Sequence, residues 1–429
     1  MHSNGRYSNA LCRVCLALLF AFAAFFSFAV GIQAATCDVV GGASASSPVN
    51  LGATFSNTTC DTFVLGNGYY TAATINRAGI TVRAANKCQV QVAPGLHVYA
   101  SNVTVDGLSI TGNATGIDVS KPGVKILNSY IQQFGKTGYA NGIWVYKEAL
   151  DPQNHVVIEG NTLNNWGGVQ YAGGIAIGKA ADSQTITGVS VEVRNNRVTN
   201  GPTASGLYSA AIQSFHPFIA IGNYVHTVSG TSMQNKTFNS TVSCNEFVNI
   251  IGDGALYNRA NSNNTWEYNI VHDSDFGIDH FVGDNVIYRG NVIYNVNHLG
   301  RIKNQGVGSH SISIENNTFY NSSGWAGWIW DVTSGGTLGN ITWKKNIFDR
   351  VNGAAISSDS RAAGSWSETE NIFYKTAKPG GSRSLTSDPQ FVSPGSNFSA
   401  QAPSAAGKGA PWPLPCGSSP TDTQAPTVP

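Results

Sequence analysis

The chain has 429 residues, of which only 11% are charged, with 25 basic side chains against 24 acidic ones. So sparse and balanced a charge excludes the bulk field by which a protein gathers nucleic acid or an anionic membrane. Aromatic residues make up 10%, and glycines number 48 against 2 methionines; this is too much packing material for a disordered chain, and it is rich in residues that turn a backbone.

Residues 1–35 read as a secretory signal. Arg6 and Arg13 precede the apolar run 16–26, and Ala34 and Ala35 offer a cleavage point. The run is short for a membrane anchor, and no later segment resembles a span. The mature protein is therefore expected outside the cytoplasm, extracellular or periplasmic, with no membrane partner. Cys12 and Cys15 leave with the signal, so Cys37, Cys60, Cys88, Cys244 and Cys416 remain. In an oxidising compartment one disulfide is expected among Cys37, Cys60 and Cys88, tying down the N-terminal end. Cys244 falls within a strand of the repeat and is expected to be a small buried apolar residue.

Residues 36 to about 95 hold strand-like stretches, such as Thr62-Phe63-Val64-Leu65 and Ile80-Thr81-Val82-Arg83. They form the atypical terminal repeat that must shield an open core. From Val103 one phrase recurs about every two dozen residues: alternating apolar positions, a turn with asparagine, then another apolar pair. Val157-Ile158-Glu159-Gly160-Asn161-Thr162-Leu163 and Ile312-Ser313-Ile314-Glu315-Asn316-Asn317-Thr318-Phe319 are two instances. The anchor position runs through Asp106, Asn128, Asn161, Asn196, Asn223, Asn245, Asn269, Asn291, Asn317, Asn346 and Asn371. A period of this size signals an all-β solenoid, here of about eleven rungs over 36–415. Its asparagines are expected to stack into an internal ladder, with rungs about 4.8 Å apart. The two longest gaps place inserted loops around 136–155 and 168–188. The stretch 416–429 is a Ser/Thr/Pro-rich linker that would lead into C-terminal accessory modules.

The repeat resembles the right-handed parallel β-helix of the pectate-lyase-like superfamily, over about residues 60 to 400. That resemblance implies a secreted protein that acts on polysaccharides, and on acidic ones in many of its members.

Solenoid enzymes display their sites on one outer face. Aligning rungs by Gly254, Gly277, Gly300 and Gly327 places Tyr257, His280, Lys303 and Trp330 in one column, with Arg301 and Trp328 beside it. Arg301 and Lys303 suit a uronate carboxylate, one as a bidentate fork and one as a point charge; a solvated basic edge is the other use of such a pair. Trp328 and Trp330, with Arg259, are expected to form sugar subsites. Asp279 falls in an otherwise apolar column, which signals either a one-residue slip or a buried carboxylate that needs a partner.

The Arg301-Ile302-Lys303 triplet looks like the substrate-carboxylate motif of polygalacturonase-type β-helix hydrolases, and 273–279 resembles their first acidic motif. The paired aspartates of the next rung are absent, where Asn295-Val296-Asn297-His298 stand instead. Asp253, Asp275 and Asp279 are hard oxygen donors of the kind Ca²⁺ takes, and the resemblance to β-helix lyases implies such a calcium; turn caps are their plainer use.

These residues lead to the expectation of a monomeric secreted polysaccharide lyase, cleaving an acidic uronate glycan by β-elimination. Lys303 is its base, Arg301 neutralises the carboxylate, and Tyr257 or His280 donates the proton. A glycoside hydrolase using an aspartate pair is the second reading. A non-catalytic carbohydrate-binding or adhesive solenoid is the third.

Overall fold

The computed structural model describes residues 35–416, except 113, 137–139, 169–171, 183–185, 203–208, 260–261, 305–308, 326, 331–337, 361, 363, 381 and the side chain of Trp330. The expected signal, with Cys12 and Cys15, and the expected linker beyond Cys416 lie outside the described residues. The chain winds into one parallel β-helix of about twelve turns with almost no helix.

Each coil contributes short strands to three walls. The first wall is a sheet of fourteen parallel strands, from Thr36–Val39 to Trp366–Thr369. The second and third belong to one 22-stranded sheet, bent along its length. The long strand Tyr224–Asn235 shows the bend: its first residues pair with Arg197–Thr199 and its last with Ala210–Ser214.

Alternation fixes which side chains fill the coil. In Val156–Glu159, Val191–Arg194 and Ile341–Lys344 every second residue is buried, as a strand with one face on a core requires. Register then stacks like on like. Ile131, Leu163, Val198, Val225, Phe247, Val271, Ile293, Phe319 and Phe348 form one unbroken inner row. The rings of Phe319, Phe348 and Phe373 at its end stack with centroids 4.9 and 5.0 Å apart.

The asparagine ladder is continuous from Asn161 to Asn371. Each Nδ2 donates to the Oδ1 of the next asparagine at 2.9–3.0 Å, and most of these residues also donate their backbone N–H to that same oxygen. The residue before each rung takes the left-handed conformation, from Gly160 and Asn195 to Cys244, Tyr268 and Glu370. That turn swings the asparagine inward. Asn128 is itself one of these left-handed residues, so the ladder position on its rung is Ser129, whose N–H donates to Asn161. Asp106 and Asn128 bond to each other outside the ladder; the expected anchor was one residue early there.

The N-terminal end is closed. A five-residue helix, Leu51–Phe55, buries Leu51 and Phe55 over the first coils, and Phe55 meets Phe63 edge-on at 5.4 Å. Cys37 and Cys60 form the N-terminal disulfide, while Cys88 is a buried thiol. Past the last coil the chain turns back along the outer face of the second wall, where Phe398 packs against Tyr294 and Tyr320. Cys244 is not a lone apolar residue: it is bonded to Cys416 and pins this closing segment to the solenoid. Its left-handed turn aims it outward rather than into the core, which the strand pattern alone hid. The third wall's outer face is left for function.

Candidate active site

Four strands carry the expected residues: Gly254–Asn258, Phe276–His280, His298–Lys303 and Gly327–Trp330. Their pairing corrects the glycine alignment. Gly254 lies opposite Phe276, and Gly300 opposite Ile278, so Gly277 is one residue out of step with both. Strand register follows backbone hydrogen bonds, and coils of unequal length need not keep their glycines level.

The true outer columns are two. In the first, Gln213, Gln234, Tyr257, Asp279, Arg301 and Trp328 lie side by side. In the second, one position past the inward Ser214, Asn235, Asn258, His280 and Ile302, stand Phe215, Lys236, Arg259, Phe281 and Lys303, with Trp330 paired to Lys303 at backbone level. Tyr257 and Lys303 thus share the wall from neighbouring columns. His280 does not share it. It points into the coil, fully buried, with Nδ1 3.2 Å from the Tyr288 hydroxyl. Burial pulls its pKa down to about 4, so it is a neutral core residue that faces away from the wall.

Phe281 is the hub. The Lys303 ammonium sits 3.7 Å from its ring centre, and the guanidinium carbons of Arg301 and Arg259 lie at 5.8 and 5.9 Å. The Tyr257 ring meets it at 5.2 Å. One rung back, Lys236 lies 4.5 Å over Phe215. These are distances at which an ammonium or guanidinium is held by a ring face. Burial pulls Lys303 down to about 8, with Asp279 opposing and Arg301 adding to the effect. Burial also pulls Lys236 to about 8, helped by Arg259. Tyr257 is 2% exposed, and burial followed by the nearby Asp279 raises its pKa, so it keeps its proton.

Arg301 is committed elsewhere. Its Nε and Nη2 donate to the two oxygens of Asp279 at 2.7 and 2.6 Å, and Nη2 also reaches Asp253 at 3.0 Å. Burial works against its charge, but the hydrogen bonds and charges of Asp279 and Asp253 together outweigh it and its pKa rises. Asp279 is therefore both things its sequence position signalled, a register slip and a buried carboxylate with a partner. Arg301 orders the floor of the site and is not an open fork for substrate.

The same bonds decide the calcium question. Both Asp279 oxygens face a guanidinium, Asp253 shares it, and Asp275 accepts from the Gly252 N–H and from Asn297. Among the described residues no three His, Cys, Asp or Glu side chains converge as a metal site. The aspartate trio does not fit a calcium ion, and no chemical step is routed through one.

Trp328 is half-buried and packs edge-on against Trp325 at 5.1 Å; the Trp330 side chain lies outside the described residues. Arg259 is exposed on the wall. Lys236, Phe215 and Phe281 went unread in the sequence, although a signal was there. Asn235-Lys236 and Asn258-Arg259 repeat an inward asparagine followed by an outward cation on consecutive rungs.

No protein-family model matches the chain, and neither does any curated protein. Its fold is shared with solved structures at low identity. A PL6 alginate lyase in complex with a trisaccharide superposes with a TM-score of 0.66 and 15% identity, over 88% of this chain and 92% of that one. The PL6 alginate lyase AlyGC gives 0.64 and 13%, over 90% of this chain and 58% of its own length. The PL6 polysaccharide lyase Pedsa3628 from Pseudopedobacter saltans gives 0.51 and 12%, covering 88% and 95%.

Proposed function

We propose that the protein is a secreted polysaccharide lyase that cleaves a uronate-containing glycan by β-elimination. The observation that carries this reading is the cationic column Lys236, Arg259 and Lys303, grouped with Phe281 and Tyr257 on the third wall. β-Elimination needs cations at the carboxylate, a base for the α-proton and an acid for the leaving oxygen. Arg259 and Lys236, on adjacent rungs, meet the carboxylate and stabilise the enolate. Lys303, brought to about 8 by burial, is partly neutral near neutral pH and takes the C5 proton. The C5–H electrons form the C4–C5 double bond, the C4–O4 bond breaks, and Tyr257 delivers its proton to the departing oxygen. The disulfides favour an oxidising compartment, and the fold likeness to alginate lyases puts alginate first among substrates.

The hydrolase reading loses support because Asp279 is fully buried with both oxygens on Arg301. Such a carboxyl is unsuited to protonating a glycosidic oxygen. The test is turnover of alginate, pectate, glucuronan and glycosaminoglycans, followed by absorbance of the unsaturated product. Cleavage without that absorbance would overturn the lyase reading, and binding without cleavage would favour the adhesive one.

A further inference from the structure

The third wall continues beyond the cationic column toward the N-terminus, and its chemistry changes there. Asp118 lies opposite both His97 and Trp144. Two positions on, Tyr99, Ser120, Tyr146 and Gly178 precede Phe215 in the column that later holds Lys236, Arg259 and Lys303. Trp144 and Tyr146 stack at 4.7 Å with planes 23° apart, and both are only half-buried. Tyr99 is 45% exposed. Asp118 holds the group in place: it accepts from the Tyr146 hydroxyl at 3.3 Å and is 2.7 Å from His97 Nδ1. Gly178, left-handed, adds no side chain to the next rung, and a cavity of about 70 Å³ opens beside Trp144 and Tyr146. The indole N–H of Trp144 is buried and meets no hydrogen-bond partner among the described residues.

We infer that Trp144, Tyr146 and Tyr99 form a distal sugar platform, which takes pyranose rings of the same acidic glycan chain that reaches the cationic column. This rests on the reading of the wall as a uronan-binding surface. Stacked aromatics with a fixed edge, beside a carboxylate–imidazole pair, can grip a sugar ring by its face and its hydroxyls. Its ring faces offer the larger contact, and Lys147 and Lys179 line the cavity beside them. Tyr146 stands four rungs from Arg259, roughly 19 Å at the ordinary strand spacing. A 1,4-linked chain lying along the solenoid advances by about one ring per rung, so only oligomers several sugars long span both places.

The probes are alginate polymer and an alginate trisaccharide, or the corresponding pair of whichever uronan the protein turns over. In Trp144→Ala the ratio of polymer to trisaccharide kcat/KM should fall about tenfold, the scale of one lost stacking contact. Trp144→Phe, which keeps a ring, should restore most of it. An unchanged ratio in Trp144→Ala overturns the platform. Retardation of Lys303→Ala in an alginate-containing native gel gives a second readout that needs no catalysis. Lost retardation in Lys303→Ala/Trp144→Ala supports the platform even if the lyase reading fails. Equal retardation of the two proteins sinks the platform and leaves the lyase reading standing.

Discussion

Two kinds of row run along this solenoid, one inside and one outside, and they obey different rules. The inner row repeats asparagine from rung to rung because each coil makes the same left-handed turn and leaves the same donors and acceptors to be met. The outer columns of the third wall vary along the solenoid, from Gln234 to Tyr257 to Asp279 to Arg301. No backbone group demands any of them. Uniformity marks what folding requires, and variation along a shared wall marks where function is free to act.

Four substitutions or conditions would sharpen that contrast. Lys303→Ala, outside, should lower kcat/KM by about two to four decades, the usual contribution of a general base, while thermal unfolding stays close to that of the parent. A matching loss of melting temperature would make Lys303 structural. Asn291→Ala, inside, should do the reverse. It removes the acceptor for Asn269 and the donor to Asn317 and Trp266, leaving buried groups unmet at a cost of about 3 kcal/mol. Denaturant titration would measure this, and activity per folded molecule should persist.

Asp349 tests a third situation, a buried carboxyl in an outer column of the second wall, between Tyr320 and Tyr374. Burial pushes it up to about 6, above the ordinary carboxylate value, so the native state holds that proton more tightly than the unfolded chain. Its contribution to stability therefore falls as pH rises from about 4 to about 6 and stays low above. Asp349→Asn should gain about 3 kcal/mol at pH 7 by this linkage and flatten that part of the stability profile. A destabilised variant would mean that the charge is needed. The smallest effect is the pH dependence of turnover. With Lys303 near 8, roughly a tenth of it is neutral at pH 7, so kcat/KM should rise roughly tenfold toward pH 9. A flat profile in that range would remove Lys303 as the base.

The fold was legible because its constraints are local and recur. Val191-Glu192-Val193-Arg194-Asn195-Asn196 states a strand, a left-handed turn and an inward asparagine in six letters, and neighbouring rungs repeat it. The site was legible only as a list of residue types. Tyr257, Lys303, Arg259 and Trp328 do lie on one wall, yet their columns were misassigned because glycines were used as the ruler. His280 shows the cost: a slip of one residue turns an outward side chain into a core one. Phe281 was missed for the same reason, since without the register it has no neighbour that would single it out.

By itself, then, the sequence determined the solenoid, its period, its inner ladder and the region of chain in which cations and aromatics concentrate. These depend on alternation and turn chemistry within a single coil. Which cation is spent on a buried aspartate, which stays on the surface beside Phe281, and that Cys244 reaches Cys416 across 172 residues were decided only in three dimensions. Contacts between coils are set by hydrogen-bond register and by the lengths of intervening loops, and a one-dimensional repeat carries neither.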